Sequence, residues 1–190
     1  MLERRTAIAT LMAHRPANMF VVPGLGSTTW DMASLGEKDG DFYLWGAMGG
    51  AAMIGLGLAL AKPKLNVVVV TGDGEMLMGL GSLATIGVQR PPNLAVVVFD
   101  NQRYGETGMQ ASHTDVGVQL AGVARACGFP EVLDVADETA LKRLAGRLTS
   151  HHETLFANVR VAADDPPRVL PSKDGVELKL RFRNAVAALG

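Results

Sequence analysis

The stretch that most constrains this chain is Val67–Gly105, which reads strand, glycine turn, helix, strand, polar loop. Val67–Val70 is a β-branched run with the length and composition of a buried strand. Gly72-Asp73-Gly74 breaks it, Glu75–Val88 reads as a helix, and Pro91-Pro92 ends that helix. Leu94–Phe99 is a second buried strand, closed by the polar segment Asp100–Gly105. Parallel strands joined by a helix bring their carboxyl ends to the same rim of a sheet. Asp73 and Asn101 are thereby expected to meet, although 28 residues separate them. A carboxylate and an amide oxygen suit a hard cation such as Mg2+. Free backbone N–H groups at a helix start suit a phosphate. The pattern describes a site for a magnesium-bound diphosphate.

The same alternation runs through the rest of the chain. Leu2–Ala13 reads as a helix, Met19–Val22 as a strand, and a helix follows from Trp30. Phe42–Trp45 reads as a short strand, followed by an apolar helix that runs to Ala61. Small residues recur along that helix and permit close approach to the sheet or to another subunit. Val116–Cys127 and Glu138–Leu148 read as helices, Glu131–Val135 and Thr154–Val161 as strands, and residues 175–189 as a closing helix. This predicts an α/β fold with three αβα layers and a mostly parallel sheet of about six strands. Ligands then belong at the carboxyl rim. Four segments fall there: Gly24–Thr29, Gly46–Met48, Gly72–Glu75 and Asn101–Gly105. Ser27, Thr28 or Thr29 can cap the following helix, and Thr28 and Thr29 are further candidate donors to the diphosphate.

Composition narrows the classes. Eighteen basic against nineteen acidic residues leave no basic stripe for nucleic acid. The single cysteine, Cys127, excludes an intrachain disulfide and a cysteine-based metal cluster. Met1–Met19 lacks a signal-peptide core, and the longest apolar stretch, Ala47–Ala61, is too short to span a bilayer. No membrane role and a cytoplasmic setting are the expectation. His151 and His152 fall in a connecting turn and are expected to be solvated.

Gly72-Asp73-Gly74, a 25-residue spacer and Asp100-Asn101 resemble the thiamine-diphosphate signature. The resemblance implies that Asp73, Asn101 and the main-chain carbonyl of Arg103 bind Mg2+, with Tyr104 and Gly105 beside them. Glu75 stands where Ser is common, and Asp100 replaces the usual first Asn. A carboxylate beside a diphosphate is repelled unless its side chain turns away, so Glu75 is expected to serve through its N–H. Phe42–Gly49 resembles the G-S-M-G element of thiamine-dependent decarboxylases, with Ala47 in place of Ser. There the Gly46 carbonyl would accept from the pyrimidine amino group, and Met48 would wedge the cofactor into its bent shape. His113, in the polar loop after Gly105, is an acid–base candidate set against the plainer reading of an exposed loop histidine.

Most of the chain, from Leu2 to about Phe182, resembles sulfopyruvate and phosphonopyruvate decarboxylases. That likeness implies decarboxylation of a small 2-oxo acid to an aldehyde, with the thiazolium ring as electron sink. Arg103 and His113 are candidates to meet a sulfonate or phosphonate. No second α/β domain is legible, so residues 1–190 read as one diphosphate-binding domain. The pyrimidine-binding domain and its activating glutamate are expected on a separate α chain in a hetero-oligomer. A split carboligase, a 2-oxoacid oxidoreductase subunit, a dinucleotide-binding protein and a non-catalytic partner subunit are the alternatives. The single cysteine argues against the iron–sulfur oxidoreductases. Gly72-Asp73-Gly74 also lacks the third glycine of a dinucleotide fingerprint.

Overall fold

The computed structural model describes residues 1 to 189; residue 190, included in the expected domain, lies outside them. Five parallel strands form the central sheet: β1 (Met19–Pro23), β2 (Asn66–Gly72), β3 (Leu94–Asp100), β6 (Glu131–Val135) and β7 (Leu155–Arg160), in the order β1-β2-β3-β7-β6. A hairpin of β4 (Arg103–Tyr104) and β5 (Gln110–Ala111) stands apart from it.

Alternation along each strand builds two cores. Val68 and Val70 face α1 (Arg4–Met12), α2 (Ser27–Ala33) and α7 (Glu138–Ser150). Val67 and Val69 face α3 (Ala51–Ala61), α5 (Gly81–Gln89) and α6 (Leu120–Ala126). Both faces of the sheet are covered, which is why β2 and β3 read as unbroken apolar runs. Each fully buried Val contributes about 1.5–3 kcal/mol. Gly55 on α3 meets Val69, so this small residue serves close approach to the sheet.

Three expectations are corrected. The strand expected over Phe42–Trp45 does not form, which leaves five strands in the central sheet. Only Asp41 bridges to Val21 at the β1 edge. Beyond it Phe42 stacks on Phe182 of α8 (Gly175–Leu189), and the Trp45 indole donates to the Ser172 carbonyl, drawing the chain off the edge. The helix expected over Glu75–Val88 is two helices, α4 (Asp73–Met78) and α5, separated at Gly79-Leu80. The Gly46–Gly50 loop packs against this break, where a Cβ on Gly49 would meet the Gly79 nitrogen at 2.9 Å. His151 is not solvated. It is 7% exposed, and neither ring nitrogen has a hydrogen-bond partner.

Candidate active site

The carboxyl ends of β1, β2 and β3 open onto a cleft of about 160 Å³. Met48, Gly72, Asp73, Gly74, Glu75, Asn101, Arg103, Tyr104 and Gly105 all line it. Segments far apart in sequence are thus gathered by the parallel topology, as the strand–helix–strand reading required.

Asp73 begins α4 directly after β2 and is 2% exposed. Its Oδ2 accepts from the hydroxyls of Ser112 and Thr114. Among the described residues no Lys, Arg or His is paired with it. Burial pushes its carboxyl above the ordinary range, and the nearby Asp100 charge adds to the rise. Asp100 is buried just as deeply but is differently served. It accepts from Thr114, Gln102 N–H and Asn158, and Arg160 lies 3.4 Å away. Asp100 therefore braces the loop from behind, and Asp73 is left as a buried carboxylate without a cation.

Asn101 Oδ1 accepts from Arg103 N–H at 2.9 Å, an Asx turn that folds the loop toward the cleft. Gln102 within that turn is left-handed (φ 62°), as is Ala47 in the facing loop (φ 59°). Such conformations in non-glycine residues cost on the order of 1–3 kcal/mol and concentrate at functional loops. The Arg103 guanidinium turns to Asp115. Asp73, Asn101 and the Arg103 carbonyl are all oxygen donors, the set a hard divalent cation takes. Among the described residues no cluster of three His, Cys, Asp or Glu could hold a metal instead.

Glu75 is 6% exposed, and its carboxylate turns into the protein. It accepts from Thr71 Oγ1 at 2.8 Å, Leu25 N–H at 3.0 Å and Gly49 N–H at 3.3 Å, and it sits against Gly24. Glu75 thus ties the loop after β1 and the Gly46–Gly50 loop to the end of β2. Burial raises its carboxyl as well, offset in part by these donors.

Other expected residues lie apart from the cleft lining. The hydroxyls of Thr28 and Thr29 donate to the Gly24 carbonyl at 3.1 and 2.6 Å, beneath the loop, and Ser27 lines the cleft in their place. Gly46 and Ala47 flank the lining residue Met48, which is 44% exposed. His113 is outside the lining and exposed, its Nδ1 2.7 Å from the Tyr104 hydroxyl. Arg4, Leu25, Ser27, Met78, Phe99, Glu106 and Thr107 complete the lining, and of these Leu25 and Ser27 fall in the expected Gly24–Thr29 segment. Arg4 left no local signal.

Among the described residues no helix is long and apolar enough to cross a membrane. The chain is 40% identical over 172 residues to a sulfopyruvate decarboxylase subunit beta of Methanocaldococcus jannaschii, covering 87% of each. It is 39% identical over 185 residues to a phosphonopyruvate decarboxylase of Streptomyces hygroscopicus, covering 95% of this chain and 45% of that protein. The chain thus spans less than half the length of the phosphonopyruvate decarboxylases it matches. The fold is shared with benzoylformate decarboxylase from Polynucleobacter necessarius, with a TM-score of 0.70 and 20% identity over 87% of this chain and 34% of that one. Residues 25–159 match the model for the thiamine pyrophosphate enzyme C-terminal TPP-binding domain, and the chain belongs to that family.

Proposed function

We propose that this chain is the diphosphate-binding β subunit of a two-chain, thiamine-diphosphate- and Mg2+-dependent decarboxylase of a 2-oxo acid such as sulfopyruvate or phosphonopyruvate. One observation carries the reading. Asp73 is a buried carboxylate without a cationic partner, on a cleft it shares with Asn101 and Arg103. The likeness to relatives named subunit beta supports the two-chain arrangement.

When bound, the cofactor supplies the electron sink for loss of carbon dioxide. Asp73, Asn101 and the Arg103 carbonyl would hold the cation, with the Ser112 hydroxyl fixing the Asp73 rotamer. Backbone N–H groups of Gly72–Glu75 and Tyr104–Gly105 would face the diphosphate, and Met48 would press on the ring end. Glu75 holds the loop carrying Gly46, Ala47 and Met48 in place. The activating glutamate and the pyrimidine contacts belong to the separate α chain, in a cytoplasmic hetero-oligomer. Residues 1–190 then act as one domain whose site is completed by the partner.

The test is capture of the α chain with this subunit as bait, followed by assay of the complex on sulfopyruvate, phosphonopyruvate and pyruvate. Aldehyde formation that needs both chains, Mg2+ and thiamine diphosphate is expected from a sulfonated or phosphonated substrate. Turnover by this chain alone, or transfer to an acceptor without aldehyde release, would overturn the proposal.

A further inference from the structure

Arg4 lies at the start of α1, far in sequence from every other part of the cleft, yet it lines that cleft. It is 4% exposed, so its guanidinium is almost fully removed from water. Nε donates to Asp31 on α2, and Nη1 donates to the Asp164 carbonyl at 3.2 Å. Nη2 has no hydrogen-bond partner among the described residues.

Charge balance makes this arrangement unusual. Asp31 serves Arg4 and Arg5 together, the latter at 3.3 Å, so two guanidinium groups share one buried carboxylate. Asp164 Oδ1 is buried without a hydrogen-bond partner among the described residues and lies 3.8 Å from Arg4 Nη1, near enough to offset part of its charge but too far to bond it. The other cleft-lining charges are already matched or negative. Arg103 is paired with Asp115 and Glu106 with Arg168, while Asp73 is buried without a cation. Arg4 is thus the one deeply buried cation on the lining among the described residues. A desolvated guanidinium with Nη2 still free to donate is suited to a phosphate oxygen.

We infer that Arg4 is a cofactor-binding residue that meets the diphosphate from the α1 side through its free Nη2. This rests on the proposed function above and adds to it a ligand from α1. A purely structural Arg4–Asp31 pair, stitching α1 to α2, makes a different prediction from a phosphate-binding Arg4.

The experiment measures binding of magnesium pyrophosphate to the full chain by calorimetry and 31P resonance, with circular dichroism on every variant. Arg4→Met is expected to weaken binding by about tenfold or more, through loss of a charge-assisted hydrogen bond. Arg4→Lys is expected to fall in between, since it keeps the charge and loses the fork. Asp31→Asn leaves the Arg4 cation in place and is expected to stay within about threefold of wild type. Equal losses in Arg4→Met and Asp31→Asn, or no loss in Arg4→Met, overturn the assignment. If Arg4→Met does not fold, Arg4→Lys binding more weakly than Asp31→Asn supports it, and the reverse order overturns it. Wild-type chain that binds no pyrophosphate with Mg2+ overturns the diphosphate reading itself, and the Arg4 role with it. Failure of the variants alone leaves that reading standing.

Discussion

The two rims of the sheet both bury titratable side chains that lack a charged partner, and they put them to different use. At the carboxyl rim Asp73 and Glu75 sit beside an open cleft, surrounded by donors from three separate loops. At the amino rim His151 lines a groove but is only 7% exposed, with neither ring nitrogen bonded and Asn66 Oδ1 orphaned nearby. Burial of a polar group alone therefore does not mark a site. Convergence of donors and oxygen ligands on one accessible space does, and the carboxyl rim has it.

Glu75→Ala is the substitution that stresses this contrast most. It removes the acceptor for Thr71, Leu25 N–H and Gly49 N–H, leaving two backbone donors buried and unmatched. A loss of about 3 kcal/mol in urea denaturation is expected. Stability within about 0.5 kcal/mol of wild type would show that the carboxylate does not hold the loops.

Ser112→Ala acts more gently at the same rim. It removes one hydroxyl from Asp73 without touching the carboxylate. Mg2+ affinity of the cofactor-loaded complex is expected to fall by about tenfold with little change in melting temperature. An unchanged affinity would detach Ser112 from the cation site.

The amino rim is tested through pH. Burial lowers the His151 pKa below its ordinary value of 6.5, so the unfolded chain takes up the proton first as pH falls. The stability associated with neutral His151 is present above that value and is lost on acidification. Between pH 6.5 and 5.5 wild type is expected to lose about 1 kcal/mol more than His151→Gln. Parallel pH profiles would mean that His151 gains a partner in solution.

The smallest effect is expected at His113. Its ring meets the Tyr104 hydroxyl and ring edge, and it lies outside the cleft lining. His113→Ala is expected to leave stability within about 0.5 kcal/mol and cofactor affinity unchanged. A large fall in turnover would restore the acid–base role read from its position in the loop.

What the sequence disclosed follows from how local each signal is. The runs in β2 and β3, and the turn between Gly72 and Glu75, are written in adjacent residues and were legible. The inward turn of Glu75 was legible too, from charge repulsion alone, although its three donors were not. Of the three hydroxyls read in the Gly24–Thr29 turn, Ser27 reaches the cleft while Thr28 and Thr29 bond the Gly24 carbonyl, a choice that rotation about α2 makes and local sequence does not. The break at Gly79 and the lost strand at Phe42–Trp45 depend on contacts with Gly49 and Phe182 that no local window contains. Arg4 and His151 owe their burial to distant elements and could not be placed from their neighbours in sequence.

The central claim is that Asp73 supplies the anionic ligand for a cation that clamps a diphosphate. Its most direct test is calorimetric titration of thiamine diphosphate into the two-chain complex, with Mg2+ and with EDTA, for wild type and Asp73→Asn. Asparagine keeps an oxygen acceptor for Ser112 and Thr114, so the fold is retained. Binding to wild type only with Mg2+, and an affinity lower by on the order of 100-fold in Asp73→Asn, is the predicted result. Equal affinity in the two proteins, or binding that ignores EDTA, would contradict the account.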